Sequence, residues 1–398
     1  MRYKRNIFTQ IVIIMALCFV IVVSGIAQEQ ESTQDKELVV TAYLASYNHF
    51  APPGGNWGNL PTEAIDWSAF DRLHYFALNV NADGSLSEIK KYKNMSPSRI
   101  NAVVTAAHSN DIGVFMSIGG WGNYKDFHTA IQPQNRQNLI DNLTFLVKRW
   151  HLDGIDLDME PIKDQDVKNY SAFVRELSGA LQQLPSPVYK RPLLSTATSW
   201  QPEMFADLQK YFDQINLMTY DYSGAWDGWV TWHNSPIYNG GKSFPMRRKK
   251  LPSLNSQVQE FLEAGVTPGK LGIGIDFYGY IWKGVSKPGE GWMINAPDVE
   301  DNVPYHKIMK DYFRDGSYNW DDSAQASYLS LKKNGQDLFV SYDDEQAIEA
   351  KVQYAREHDL GGVFIWELSA GYRKTLPAGR RDLLLQSVKS AINTSSAL

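Results

Sequence analysis

Eight short apolar runs punctuate this chain of 398 residues, opening near Leu38, Leu73, Ile112, Asp153, Leu193, Ile215, Leu271 and Val363. Helix-length patterns fill the gaps, as over residues 136–150, 167–181 and 345–357. Strand–helix alternation of this kind is the rhythm of βα units feeding a parallel sheet. The first five runs are spaced by roughly forty residues, close to what a (β/α)8 TIM barrel with loop insertions needs. Eight strands with no second core pattern make a single α/β barrel the economical reading. One interval is irregular: more than eighty residues separate the seventh run, which ends at Phe277-Tyr278-Gly279, from the eighth. That is too long for one helix and a turn.

In a barrel of this type, chemistry sits at the C-terminal ends of the strands. The fourth run reads Asp153-Gly154-Ile155-Asp156-Leu157-Asp158-Met159-Glu160. As a strand it turns Ile155, Leu157 and Met159 to one face and Asp156, Asp158 and Glu160 to the other. Neighbouring carboxylates on one face lie roughly 6–7 Å apart, given a rise of about 3.3 Å per residue. Without a neutralising partner, at least one then keeps its proton near neutral pH and is suited to general acid catalysis. Glu160 ends the strand and Pro161 stops the ladder there. Two duller readings compete with this one: a solvated edge strand, and a divalent-metal site of Asp and Glu oxygens. The strongly apolar opposite face argues against the first. The lack of a His cluster or an Asp/Asn-Gly calcium loop argues against the second, so no metal and no cofactor is expected.

The spacing Asp153-x-x-Asp156-x-Asp158-x-Glu160 resembles the DxxDxDxE signature of family 18 glycoside hydrolases, the chitinase family. Other stretches carry the resemblance over most of the chain. Ser117-Ile118-Gly119-Gly120-Trp121 closes the third strand like the family's SxGG motif, and Met218-Thr219-Tyr220-Asp221 closes the sixth like its M-[TA]-Y-D. His233 to Tyr238 resembles the loop that follows, Phe277-Tyr278-Gly279 the seventh strand, and Gly361 to Glu367 the eighth. The resemblance implies a small α+β insertion at about residues 280–340, between strands 7 and 8, of which Trp320-Asp321-Asp322 and Ser341 to Asp344 look like parts. The chain also departs from the pattern. Met159 stands where Trp is commoner, and Ser223 and Tyr280 stand where chitinases often carry His and Arg.

By the same resemblance the substrate is chitin or another β-1,4-linked N-acetylglucosamine chain, cut with retention through the substrate's own acetamido oxygen. Glu160 is then the acid and base, Asp158 orients the acetamido group, and Tyr220 donates to it. Asp156 holds Asp158 and shares its proton load, with Ser117 and Tyr43 beside it. Trp121, Trp226 and Trp366 are expected to stack on sugar faces, Trp366 as the floor. Gly120, Met218, Asp221 and Tyr278 complete the expected substrate contacts, while Asp153 fixes the strand and turn. Two other activities share these motifs: an endo-β-N-acetylglucosaminidase acting on N-glycans or peptidoglycan, and a chitinase-like lectin that binds without cutting. The presence of Glu160 weighs against the lectin.

The first residues read as an export signal. Arg2, Lys4 and Arg5 precede an unbroken apolar run from Ile11 to Val23, and small residues follow at Gly25-Ile26-Ala27. Cleavage after residue 27 leaves 28–398 as the catalytic barrel, bound for periplasm or medium. An uncleaved anchor is the alternative, since the run is only slightly short for a membrane span. Removing residues 1–27 takes away three cations and no acidic residue, moving the formal charge from −5 to −8. That balance disfavours nucleic acid and anionic membrane as partners. Cys18, the only cysteine, lies inside the signal, so the mature chain forms no disulfide and is expected to be a monomer stabilised by its core.

Overall fold

The computed structural model describes residues 37–49, 59–88, 95–224, 226, 229–244, 249–290 and 299–394. The expected signal at 1–27 lies outside the described residues. Fourteen strands are present among those described. β1 (Val39–Ala45), β2 (Arg72–Val80) and β3 (Leu86–Glu88) come first, then β4 (Gly113–Gly119), β5 (Gly154–Asp158), β6 (Leu193–Thr198) and β7 (Gln214–Leu217). β8 (Leu271–Asp276) is followed by β9 (Tyr278–Lys283), β10 (Val299–Pro304), β11 (Tyr318–Asp321), β12 (Ala326–Lys333) and β13 (Gln336–Tyr342). The last is β14 (Gly362–Trp366).

The parallel strands run in the order β1-β14-β8-β7-β6-β5-β4-β2, and β2 pairs back onto β1, closing an eight-stranded barrel. β3 is an antiparallel flap on β2. Each strand opens within one residue of the position expected from the apolar runs. The predicted helices form at Arg136–Trp150, Val167–Leu181 and Glu345–Glu357. The first buries Leu139, Ile140, Leu143, Leu146 and Val147, a stripe at helical spacing, and ends where His151 turns left-handed at φ 52°. The last begins at Asp344, whose carboxylate accepts from the Ala347 amide at 2.9 Å.

β5 shows how the barrel wall is built. Ile155, Leu157 and Met159 are fully buried in the apolar layer between strands and helices, which also accommodates Met159 in place of a Trp. Asp156 and Asp158 point the other way and are also buried. The register sets Asp156 opposite Ser117 on β4 and Ser195 on β6, and Asp158 opposite Gly119.

Between β8 and β14 the chain makes an antiparallel sheet in the order β10-β9-β13-β12-β11, with the helix Tyr305–Asp311. This is the α+β insertion expected between the seventh and eighth barrel strands, and its strands span 278–342. Only Phe277 separates β8 from β9, so the insertion grows directly from the C-terminal end of a barrel strand. Tyr278, Tyr280 and Trp282 pack with Phe339 on its face, against Tyr220 and Trp366. A buried ionic network lies behind this junction. Lys351 Nζ donates to Ser235 Oγ at 2.5 Å, pairs with Asp276 Oδ1 at 3.3 Å and contacts Asp343. Asn234 links that network to the site, donating to Asp276 Oδ2 at 2.6 Å and accepting from the Asp221 amide at 3.2 Å.

Candidate active site

The acidic face of β5 runs from the floor of the barrel to its mouth, and each carboxyl has different surroundings. Asp153, just before the strand, is saturated. Its Oδ2 accepts from His108 Nε2 at 2.7 Å and the Val114 amide at 2.9 Å, and its Oδ1 from Ser186 Oγ at 2.6 Å and the Val188 amide at 2.9 Å. All four contacts tie neighbouring segments to the strand entrance, and none faces a cleft.

Asp156 is also fully buried. Tyr43 Oη and Ser117 Oγ each donate to Oδ2 at 2.9 Å, and Ser195 Oγ donates to Oδ1 at 2.8 Å. His74 Nδ1 stands 3.4 Å from the same Oδ2. Burial by itself pushes a carboxyl up, but His74, Ser195 and Tyr43 outweigh it and hold Asp156 below its usual value.

Asp158 and Glu160 behave in the opposite way. Burial, the charge of Glu160 and the charge of Asp156 drive Asp158 well above the ordinary carboxylate range. Burial and the charge of Asp221 raise Glu160 to about 7, against hydrogen bonds from Asp158 and the Trp121 amide. Asp158 and Glu160 act on each other directly, and both carboxyls are raised together. The expected proton sharing therefore falls on Asp158 and Glu160 rather than on Asp156 and Asp158. The reason is geometric: barrel closure surrounds Asp156 with donors that stabilise its anion, while Asp158 Oδ1 is buried without a hydrogen-bond partner among the described residues.

Glycines shape the wall beside the pair. Gly119 has φ 108°, and a Cβ there would meet the Asp158 carbonyl oxygen at 2.3 Å. Gly120 donates its amide to that same oxygen at 2.7 Å. On the far side a Cβ on Gly274 would lie 2.6 Å from the ring of Tyr220, so this glycine makes room for the tyrosine. Tyr220 sits within electrostatic reach of Asp158, Glu160 and Asp221. Together with Met218 and Trp366 it packs against a buried cluster of Tyr43, Phe76 and Phe364, with Trp366 edge-on to Phe76 at 4.7 Å and 5.6 Å from Tyr43.

Asp221 is exposed at the surface, while two tyrosines hold its carboxylate. Tyr278 Oη at 2.6 Å and Tyr280 Oη at 3.0 Å both donate to its Oδ1. Burial raises the carboxyl to about 6 despite these two donors, with Asp276 and Asp301 adding to the rise.

Several expected substrate contacts are buried beneath the site instead. Tyr43, Ser117 and Tyr278 are at most 1% exposed, and their hydroxyls are engaged by Asp156 or Asp221, so they act through those carboxylates. Gly120 is also buried, under the Phe76 ring. Trp121 is open, with 81% of its surface exposed immediately after β4. Trp226 is 47% exposed in the loop after β7, where its ring meets Trp229 at 5.0 Å. Sequence reasoning missed His74, Ser195 and the Tyr280–Asp221 bond. Ser223, in the position of the family's His, is buried and donates to the Val230 carbonyl. Among the described residues, no group of three or more His, Cys, Asp or Glu side chains is placed to hold a metal ion.

A closed parallel barrel with a row of carboxylates ending in a raised glutamate, and aromatic rings beside it, defines the class of barrel glycosidases. The chain belongs to the glycosyl hydrolases family 18, whose model matches residues 39–371. It is 26% identical over 324 residues to chitinase A1 of Niallia circulans, covering 74% of this chain and 44% of that protein. It is 30% identical over 286 residues to the chitinase of Autographa californica nuclear polyhedrosis virus, covering 65% and 50%. The chain thus spans about half the length, or less, of these curated relatives. Its fold is similar to the crystal structure of Ostrinia furnacalis Group IV chitinase in complex with allosamidin, with a TM-score of 0.74 and 23% identity, covering 89% of this chain and 99% of that one.

Proposed function

We propose that this chain is an exported, retaining, endo-acting hydrolase of β-1,4-linked N-acetylglucosamine chains, a chitinase that uses the substrate's own acetamido group as nucleophile. The observation that carries the reading is the Asp158–Glu160 pair. It combines two raised carboxyls at the C-terminal end of β5 with an Asp158 oxygen that is buried without a hydrogen-bond partner among the described residues. An acetamido N–H supplies the donor that oxygen lacks. The relatives named as chitinases support the same substrate class.

In this mechanism Glu160 protonates the departing glycosidic oxygen. Asp158 accepts from the acetamido nitrogen and balances the positive charge that develops as the acetamido oxygen closes on the anomeric carbon. Tyr220 donates to the acetamido oxygen and holds it in line for attack. Glu160, now ionised, takes a proton from water as the ring intermediate opens. Trp366 and Trp121 supply faces for sugar rings. Two inversions at one carbon give net retention.

The test is NMR of the first products from N-acetylglucosamine oligomers, recorded before mutarotation. A dominant β-anomer is expected. A dominant α-anomer, or a covalent adduct on Asp158 from a substrate lacking the acetamido group, would overturn the assisted mechanism.

A further inference from the structure

His74 is a buried titratable side chain that the mechanism above does not use. It lies on β2, with none of its surface exposed. Its ring is sandwiched, stacked on Phe115 of β4 at 4.7 Å and meeting the edge of Tyr43 of β1 at 4.7 Å. Neither ring nitrogen has a hydrogen-bond partner among the described residues. The carboxylate it faces is Asp156, with Nδ1 3.4 Å from Oδ2. Burying an imidazole with both nitrogens unpaired is costly, and an apolar side chain would fill an aromatic sandwich at lower cost. The contact that offsets this cost is the one to Asp156, at 3.4 Å.

We infer that His74 is a positioning residue of this active site: from the second barrel strand it keeps Asp156 ionised, so that the mobile proton of the acidic row stays between Asp158 and Glu160. The inference rests on the proposed function for its catalytic meaning, although the His74–Asp156 pairing can be tested without substrate. The remaining groups around Asp156 are neutral donors, namely Tyr43 from β1, Ser117 from β4 and Ser195 from β6. Its like-charged neighbour is Asp158 on the same strand. The nearest other cation along β2 is Arg72, which is engaged with Gln214 of β7 at 2.7 Å and lies over the Phe115 ring at 5.9 Å. His74 is therefore the basic side chain that stands against Asp156, with Nδ1 3.4 Å from Oδ2. Without it, two adjacent carboxylates and a third just past the strand end have only neutral donors to balance them. Asp156 then competes for the proton that Glu160 must deliver.

His74→Phe keeps the ring stack and removes both nitrogens, and His74→Leu serves if the larger ring does not fit. Carboxyl ¹³C NMR on aspartate-labelled protein, with Asp156 assigned through Asp156→Asn, reads the carboxyl directly. Its titration midpoint is expected to rise by about one unit or more in the variant. An unmoved midpoint in a folded variant would overturn the inference, whatever the substrate proves to be. His74→Asn keeps a donor and is expected to recover part of the shift.

With N-acetylglucosamine oligomers, His74→Phe is expected to lower kcat about 10-fold, with little change in KM, and to move the acidic limb of the kcat profile to higher pH. In an Asp156→Asn background the same substitution should cost little further activity. Additive losses, or a loss of thermal stability with an unchanged pH profile, would reduce His74 to a packing residue. A native protein that cleaves none of these oligomers would end the functional reading, while the carboxyl titration would still decide the pairing.

Discussion

Replacing Glu160 with Gln separates proton donation from the other work of the side chain. The amide keeps the shape and a hydrogen-bonding edge toward Asp158 and the Trp121 amide, but it has no proton to give. General acid–base catalysis contributes about 10²–10⁴-fold, so turnover is expected to fall by at least about 10² while oligosaccharide affinity changes only a few-fold. The raised carboxyl makes the argument quantitative. With Glu160 at about 7, about nine in ten molecules carry the acid proton at pH 6 and about one in ten at pH 8. Native activity limited by this group therefore falls about fivefold from pH 7 to pH 8 and close to tenfold per pH unit beyond. The same shift is a statement about stability. The folded state binds more protons than the unfolded one between the ordinary glutamate value of 4.5 and about 7. Native stability is accordingly lost as pH rises through that window. Two and a half units correspond to at most about 3 kcal/mol, shared with Asp158 because the two carboxyls titrate together. Glu160→Gln removes that loss, so the variant should match the native protein near pH 4.5 and exceed it above pH 7. Product release from N-acetylglucosamine oligomers, binding calorimetry and urea unfolding at pH 5 and pH 8 read the three quantities. Activity within a few-fold of native would remove Glu160 from the chemistry. A stability difference that does not grow with pH would refute the raised carboxyl.

Asp153→Ala strands the Val114 and Val188 amides as well as His108 and Ser186. The buried Val114 amide left unpaired costs about 1–3 kcal/mol and the half-buried Val188 amide adds to it, so urea unfolding should show a loss of about 2 kcal/mol or more. A loss below about 1 kcal/mol would mean that these contacts are replaced by water. Tyr220→Phe should lower kcat more than it weakens ground-state binding, because its hydrogen bond strengthens as charge develops in the transition state; an equal effect on both would make it a binding residue. Exhaustive EDTA treatment should leave the rate unchanged. A loss restored by Ca²⁺ or Mg²⁺ would return the carboxylate row to a metal-binding role.

What the sequence determined by itself is local and periodic. Two-residue alternation placed Asp156 and Asp158 on one face of β5 and Ile155, Leu157 and Met159 on the other. Helical spacing marked 136–150 as an amphipathic helix, and Pro161 marked a stop close to the true end of β5 at Asp158, which leaves Glu160 just past the strand at the barrel mouth. These signals need only a side-chain direction and the next few residues. Which groups surround Asp156 was decided by closure of the barrel. His74, Ser117 and Ser195 lie on three other strands, and their approach depends on the β2–β4, β4–β5 and β5–β6 registers. Tyr280 reaches Asp221 from the insertion sheet, 59 residues further along the chain. Lys351 meets Asp276 across 75 residues of sequence. No periodicity encodes such meetings, because they arise from how strands stagger and a sheet curls when its apolar layer is buried on all sides. The tertiary structure therefore set apart three carboxyls that look equivalent in sequence: Asp156 is held below its usual value while Asp158 and Glu160 are raised, according to what stands opposite each of them.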